Sequence, residues 1–483
     1  MPKARLSRPR KAQLPRGFSD RVGAAWRREH QLVARLLPLY EAHGFVPLET
    51  PALEYSDLLG QFLPDAERPN QAVFSLQDDD EQWLSLRYDL TAPFARYVAM
   101  AYEGLPKPFR RYQYGSVWRN EKPGPGRLRE FTQLDADIAD SGEVAADAEL
   151  CLLASEAMQR LDAPQHRVRI NHRRLLDGVL AELGWDDSDP HYAARRLTIL
   201  RAMDKLERLG ADAVEALLGE GRADASGDVT AGAQLSPDQI AQVMAFLNLR
   251  DAPSHHAFLQ KLDAHPLSNA PWQEGRAALA DLAEIFAQSQ GADALCFDCA
   301  IVRGLDYYTG CVFELEVGEG AHTMGAVGGG GRYDGLVARL KSAPVPATGF
   351  SLGITRLALV LDEPPQLASP PIFVAVLEKG AHARALALAQ ELRAAGFAAE
   401  AYVGSGGLKA QLRYADKRGM PWAILEGEDE RQSGHVTLKD MQSGKAQSAE
   451  IASNQTWRQG THAQERIKRS ELVAALKKLQ RTP

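Results

Sequence analysis

Four prolines within ten residues, in the stretch DEPPQLASPP from Asp362 to Pro371, divide this 483-residue chain. Proline lacks an amide proton and holds φ fixed, so neither helix nor sheet continues through such a run. Residues 364–371 are expected to be a linker, with a separate folding unit beyond it. From residue 372, IFVAVL, AAEAYVG, PWAILEG and HVTLKDM read as strands, and Ala381–Ala395 and Leu408–Arg418 as helices. These predict a small α/β domain over 372–455 with a short mixed sheet. Residues 456–483 are expected to form a basic amphipathic helix, with Leu472, Leu476 and Leu479 on one face of Glu465–Gln480.

Before the linker, Val22, Trp26, Val33, Leu36, Leu37 and Tyr40 recur near a 3.6-residue period, and Gly44 stands where a helix would stop. FVPLETPALEY, broken by Pro47 and Pro51, reads as extended chain at an edge or an interface. LSLRYDL, RRYQYGSVWRN and REFTQLDADI alternate as strands do, and EKPGPG joins the last two, so an antiparallel sheet is expected. A helical pattern over Val144–Leu161 and the short strand HRVRIN follow. Residues 190–290 read as helices between polar turns, a helical insertion without strands. It separates 12–189 from 291–363, where strand signals and a glycine cluster return.

Composition narrows function. No window approaches the roughly 20 apolar residues that span a bilayer, and MPKARLSRPRK lacks a secretory apolar stretch, so a cytoplasmic protein with no membrane contact is expected. The 56 Lys plus Arg against 63 Asp plus Glu exclude indiscriminate coating of nucleic acid but leave room for a local RNA footprint. Lys3, Arg5, Arg8, Arg10 and Lys11 crowd the start without an acid among them, as a solvated arm or as an RNA contact. Cys151, Cys296, Cys299 and Cys311 are too scattered for a disulfide framework. The lone CxxC, Cys296 and Cys299, sits in an apolar run without a second ligand pair, so buried reduced thiols and no metal site are expected.

RGLDYYTG, Arg303–Gly310, brings a guanidinium, a carboxylate and two phenols close together. As a strand it would send Arg303, Leu305 and Tyr307 to one face and Gly304, Asp306 and Tyr308 to the other. The segment resembles the histidine-specific signature of the histidyl-tRNA synthetase family. LRYDLTAPFARY, Leu86–Tyr97, is similar to that family's substrate-amine motif. VWRNEKPGPGRLREFTQLDADI, Val117–Ile138, resembles motif 2 of class II synthetases, GFVPLETPALEY motif 1 and GFSLGITR motif 3. RYADKRGMPWAILEGEDE resembles part of the anticodon-binding domain, and the resemblance thins past about Asn454. The implied fold is α+β: a class II synthetase antiparallel sheet flanked by helices, with a helical insertion and a C-terminal α/β anticodon-binding domain.

The resemblance implies activation of L-histidine by ATP, with Mg2+ accompanying ATP, then transfer to tRNA(His) by a homodimer paired near Pro51. Adenylation sets a triphosphate beside a carboxylate, and arginines suit this because their planar forks give paired hydrogen bonds and keep their charge. By resemblance, Arg119 grips the α-phosphate and the substrate carboxylate, Arg356 holds the distal end of ATP, Glu121 places the base, and Arg303 approaches the α-phosphate from the other side. Asp89, Thr91 and Gln133 receive the ammonium, Asp137 and Tyr308 read the two ring nitrogens, and Tyr333 lines the pocket. Thr91 and Gln133, taken alone, suit structural hydrogen bonds equally.

GGGGRYDGL lacks the Lys and Ser/Thr of a P-loop, and by resemblance its glycines let nucleotide and substrate approach. Thr355 stands where the family usually has an acid before Arg356, which removes an expected support for that guanidinium. Tyr402, Lys409, Gln411, Arg413, Tyr414 and Lys417 are candidate anticodon contacts or one solvated helix face. The competing expectation is the family's non-catalytic, histidine-binding regulator of a phosphoribosyltransferase. That class generally lacks the C-terminal module and the ATP-gripping arginines. A kinase-linked sensing module would need a kinase domain, and none is found.

Overall fold

The computed structural model describes residues 11–60, 72–124, 126–163, 165–184, 192–223, 229–304, 308–318, 325–361, 370–441 and 464–480. The chain forms two compact units, residues 1–365 and 366–483, dividing within the proline-rich stretch. Most of that stretch, like the basic arm before Lys11, lies outside the described residues.

In the first unit, α1 (Ala24–Ala42) buries Leu32, Val33, Leu36 and Tyr40 and ends just before Gly44, whose φ of 77° is the left-handed turn that glycine adopts without steric penalty. The helix starts later than its periodicity suggests, and Val22 and Trp26 are exposed. Next come β1 (Val46–Pro47), β2 (Leu53–Tyr55), the short α2 (Ser56–Gly60), β3 (Ser75–Gln77) and β4 (Trp83–Leu86). Strands β2, β4 and β3 make a separate three-stranded sheet, so the LSLRYDL strand does not join the main sheet as expected. Helix α3 (Thr91–Ala101) leads to β5 (Phe109–Trp118), β6 (Glu130–Ala139), α4 (Val144–Arg160), β7 (His166–His172) and α5 (Arg173–Glu182).

Helices dominate residues 192–291, but β8 (Gly221–Ala223) and β9 (Val229–Ala231) pair as a hairpin. The strand-free expectation for this region is therefore corrected. Each strand is three residues long and without buried side chains, so it carries no alternation to detect. Strands β10 (Leu295–Phe297), β11 (Cys311–Val317), β12 (Gly328–Arg332) and β13 (Ala347–Gly353) complete the unit, and β13 runs directly into the helix Ile354–Val360.

The main sheet has the order β1-β5-β6-β13-β12-β11-β7-β10, antiparallel except for its outer pairs. Period-two alternation gives it two different faces. On β6, Leu134, Ala136 and Ile138 join a core with Leu36, Tyr40, Leu150 and Phe286. Gln133, Asp135 and Asp137 point the other way, toward the side where Phe94 and Val98 of α3 pack with Tyr333. The glycine run is a strand rather than a loop. A Cβ on Gly330 would stand 2.0 Å from the Gly349 carbonyl oxygen, so β12 and β13 reach their separation only with glycine there.

The second unit holds β14 (Ile372–Val374), β15 (Ala399–Ala401), β16 (Trp422–Leu425), β17 (His435–Asp440) and β18 (Gln464–Lys468), in the order β15-β14-β16-β17-β18. Glu465–Gln480 is therefore not one helix. Gln464–Lys468 pairs antiparallel with β17, and only Leu472–Gln480 is helical. Ile467, Leu472 and Leu476 enter this unit's core, whereas Leu479 is 37% exposed. Among the described residues no helix is long and apolar enough to cross a membrane.

Gly330→Ala is expected to lower unfolding free energy by about 3 kcal/mol, since overfilling a packed site costs on that scale. Gly335→Ala, where an added Cβ meets nothing within 4 Å, is expected to be near neutral. Urea titrations giving the two variants equal midpoints would contradict the account of the glycine run.

Candidate active site

A cavity of about 530 Å3 opens on the polar face of the main sheet, lined by every residue expected from the sequence except Asp137. Asp89 and Thr91 come from the start of α3, Arg119 and Glu121 from just beyond β5, and Gln133 from β6. Tyr333 follows β12, and Arg356 belongs to the helix after β13.

Arg303 and Tyr308 reach the cavity by a route that alternation does not predict. The segment is not a strand at any described position. The Tyr308 amide donates to the Gly304 carbonyl at 3.1 Å, and the Arg303 and Tyr308 side chains both line the cavity. Gly304 has a φ of 53°, and a Cβ there would lie 2.0 Å from the Tyr308 ring. Both facts require glycine. Leu305, Asp306 and Tyr307 fall outside the described residues.

Part of the cavity lining is cationic. Arg119 Nε donates to the Tyr88 carbonyl at 3.1 Å, with its guanidinium over the Phe131 ring. Arg303 Nε lies 2.9 Å from Glu314 Oε1, and Gly329 leaves room for it, since a Cβ there would stand 2.0 Å from Arg303 Nη1. Arg356 Nη1 donates to the Ala326 carbonyl at 2.7 Å. Burial, then the nearby charges of Arg127, Arg303 and Arg119, lowers the Arg356 pKa. Four guanidiniums lining one cavity form a site for a polyanion. Thr355 does not touch this group: its hydroxyl accepts from the Thr132 amide at 2.9 Å and ties the helix to β6. The backbone carbonyl of Ala326 takes the place of the missing acidic support.

Other lining groups are acidic and buried. Asp89 Oδ1 accepts from the Ala92 amide at 2.9 Å, and burial raises its carboxyl above the usual range. Gln133 Nε2 donates to Ser351 Oγ at 2.6 Å, leaving the buried Oε1 without a partner. Asp137 sits behind the wall. The Tyr333 hydroxyl donates to its Oδ1, and Arg111 Nη2 lies 2.6 Å from its Oδ2. In the free chain Asp137 is thus engaged by Tyr333 and Arg111.

Arg127, Phe131, Asp135 and Ser351 also line the cavity and were not singled out from the sequence. Asp135 was findable, because Gln133, Asp135 and Asp137 are alternate residues on one strand and must share a face. Arg111 and Ser351 carry no such signal, since their proximity depends on register. In the second unit, Gln411 is no surface contact: it is buried and clamps both backbone groups of Val376. Lys409, Arg413 and Lys417 are exposed, and Tyr402 and Tyr414 stack edge-on at 5.9 Å.

The sequence model of the histidyl-tRNA synthetase family matches residues 17–357, and an anticodon binding domain matches residues 372–479. The second match runs through β18 and the last helix, past the point where the resemblance was expected to thin. The histidine–tRNA ligase of Brucella ovis is 46% identical over 484 residues, covering 97% of this chain and 96% of that protein. A solved histidyl-tRNA synthetase from Nostoc has a TM-score of 0.70 at 25% identity, covering 97% of this chain and 99% of that one. A Bacillus halodurans structure described as an ATP phosphoribosyltransferase regulatory subunit/histidyl-tRNA synthetase shares the fold, with a TM-score of 0.66 at 24% identity, covering 84% and 97%. By the length of the first match and the identity to the Brucella protein, the chain belongs to the histidyl-tRNA synthetase family.

Proposed function

We propose that this chain is a histidine–tRNA ligase of class II, which forms histidyl-adenylate from L-histidine and ATP and esterifies the histidyl group to the 3′ end of tRNA(His). The observation that carries the reading is the make-up of one cavity, which four guanidiniums and several buried acceptors line together. A regulator that only bound histidine would have no use for the guanidiniums.

ATP enters as its Mg2+ complex, with Arg356 on its distal phosphates and Glu121 near the base. Arg119 and Arg303 flank the α-phosphate and the histidine carboxylate, lower their repulsion, and stabilise the charge added when the carboxylate oxygen attacks phosphorus and pyrophosphate departs. Glu314 keeps the Arg303 guanidinium aimed. Asp89, Thr91 and Gln133 take the ammonium. Tyr308 and Tyr333 face the imidazole, and Asp137 orients the Tyr333 phenol. In the second unit, Lys409, Arg413 and Lys417 recur every four residues along one helix, so they share a face that would meet the anticodon backbone, with Tyr402 and Tyr414 offering rings to stack on. The buried free thiols of Cys151, Cys299 and Cys311 suit a cytoplasmic home.

The chain works as a homodimer in this reading. Leu53, Tyr55 and Met100, at 38%, 52% and 77% exposure, surround a second, largely apolar hollow beside Pro51. Patches of this kind mark protein contacts. Sedimentation at micromolar concentration should give twice the chain mass, and a monomer alone would contradict pairing there.

Histidine-dependent exchange of pyrophosphate into ATP should be present in the full chain and lost without histidine. Arg303→Ala should cut that exchange by at least about a hundredfold, the scale of a lost oxyanion donor, while histidine and ATP still bind singly. Transfer from preformed adenylate should suffer less, since it brings no two anions together. Adenylation intact with transfer impaired would overturn the role given to Arg303.

A further inference from the structure

We propose that Asp135 is a further substrate-binding group, whose carboxylate accepts the cationic amine beside Gln133 and gives up a proton when that cation arrives. The inference rests on the ligase reading and adds a ligand and a proton to it.

The geometry comes first. Asp135 is 1% exposed yet lines the cavity, and among the described residues the Ser351 hydroxyl is the one side-chain donor set against it, with no hydrogen bond of full geometry to either oxygen. Ser351 stands directly opposite it in the β6/β13 ladder, and Gln113 opposite it on β5. The Ser351 oxygen already accepts from Gln133 Nε2 at 2.6 Å, which turns the unpartnered Gln133 Oε1 to the same region. Apart from the Ser351 hydroxyl, the side chains of this part of the wall offer acceptors. Buried acceptors are costly when unmet, and a wall so poor in donors suits a ligand without acceptors. An ammonium group, with three N–H donors and no lone pair, is that ligand.

Among the described residues, the arginines whose charge is felt at Asp135 are engaged elsewhere. Arg111, the nearest, is held by Asp137 at 2.6 Å, and Arg87 is committed to the Thr50 and Ser116 carbonyls. Asp137, Asp89 and, from α1 behind the sheet, Tyr40 complete the titratable groups around it. Burial, reinforced by Asp137 and Asp89, pushes the Asp135 carboxyl up to about 8, while Arg111 and the Ser351 hydroxyl pull the other way. The free site thus holds this proton at neutral pH. A bound ammonium replaces it, the carboxylate keeps the electron pair, and the proton leaves to solvent.

Calorimetric titration of L-histidine into the full chain, in buffers of different ionisation heat at about pH 7.5, counts the protons released while the free imidazole is already mostly neutral. The wild type should release on the order of one proton per site, fading as pH rises above the Asp135 midpoint. Asp135→Asn should abolish the release and weaken histidine binding at least about tenfold, with ATP binding unchanged, as expected for a lost charged partner. Ser351→Ala, a second variant, should move the fade to higher pH, because the ionised form loses a donor. No release in the wild type, equal release in Asp135→Asn, or an unmoved profile in Ser351→Ala would each overturn the inference. Failure of the wild type to bind or activate histidine at all would instead sink the ligase reading.

Discussion

Arg111 has no exposed surface, and its guanidinium lies 2.6 Å from Asp137 within the sheet. The two stand opposite each other in the β5/β6 ladder, so register alone brings them together. Burying both charges is expensive, and each gains a further contact that offsets part of the cost: Arg111 donates to the Leu90 carbonyl at 2.9 Å and lies over the Phe94 ring, and Asp137 accepts from Tyr333. Those contacts fix the start of α3, which carries Asp89 and Thr91, and the phenol of Tyr333. The acidic part of the cavity lining is hung on this one ion pair.

The glycines of β12 and β13 do the complementary work of making space. A Cβ on Gly349 would lie 2.0 Å from Asp137 Oδ1, and one on Gly329 would lie 2.0 Å from Arg303 Nη1. Side chains are absent where two neighbouring strands must pass, so that charged groups from other elements can stand above them. A phosphate loop would use glycines for their backbone amides. Here the amides belong to the ladder and the missing Cβ atoms are what matter.

Elements whose side chains alternate or recur over many residues were legible in the sequence: α1, the β5/β6 pair, and the alternating strand and helix after the prolines. The boundary between the two compact units falls in the proline run, since proline breaks regular structure locally. The hairpin β8/β9 was not, since three exposed residues carry no pattern, and neither was β18, whose partner β17 is remote in sequence. At the site, the residue types were readable from motif resemblance, and Asp135 from simple alternation with Gln133. The placing of both Arg303 and Tyr308 on one cavity was hidden, because it depends on Gly304 at positive φ and on clearance beside the Tyr308 ring. Likewise Asp137 could be placed on the correct face, but its contacts with Tyr333 and Arg111 depend on register and packing.

If the Arg111–Asp137 pair exists to build the histidine-binding part of the cavity rather than to stabilise the fold, stability and function can be separated. Arg111→Met alone should cost about 3–5 kcal/mol, because it strands a buried carboxylate. The double variant Arg111→Met, Asp137→Leu should recover most of that loss, since apolar groups of similar volume can replace a buried ion pair. The deciding measurement is histidine-dependent pyrophosphate exchange by the refolded double variant. The account predicts a stable protein that binds ATP and shows no such exchange, and a stable double variant that retained exchange with an unchanged histidine KM would contradict it.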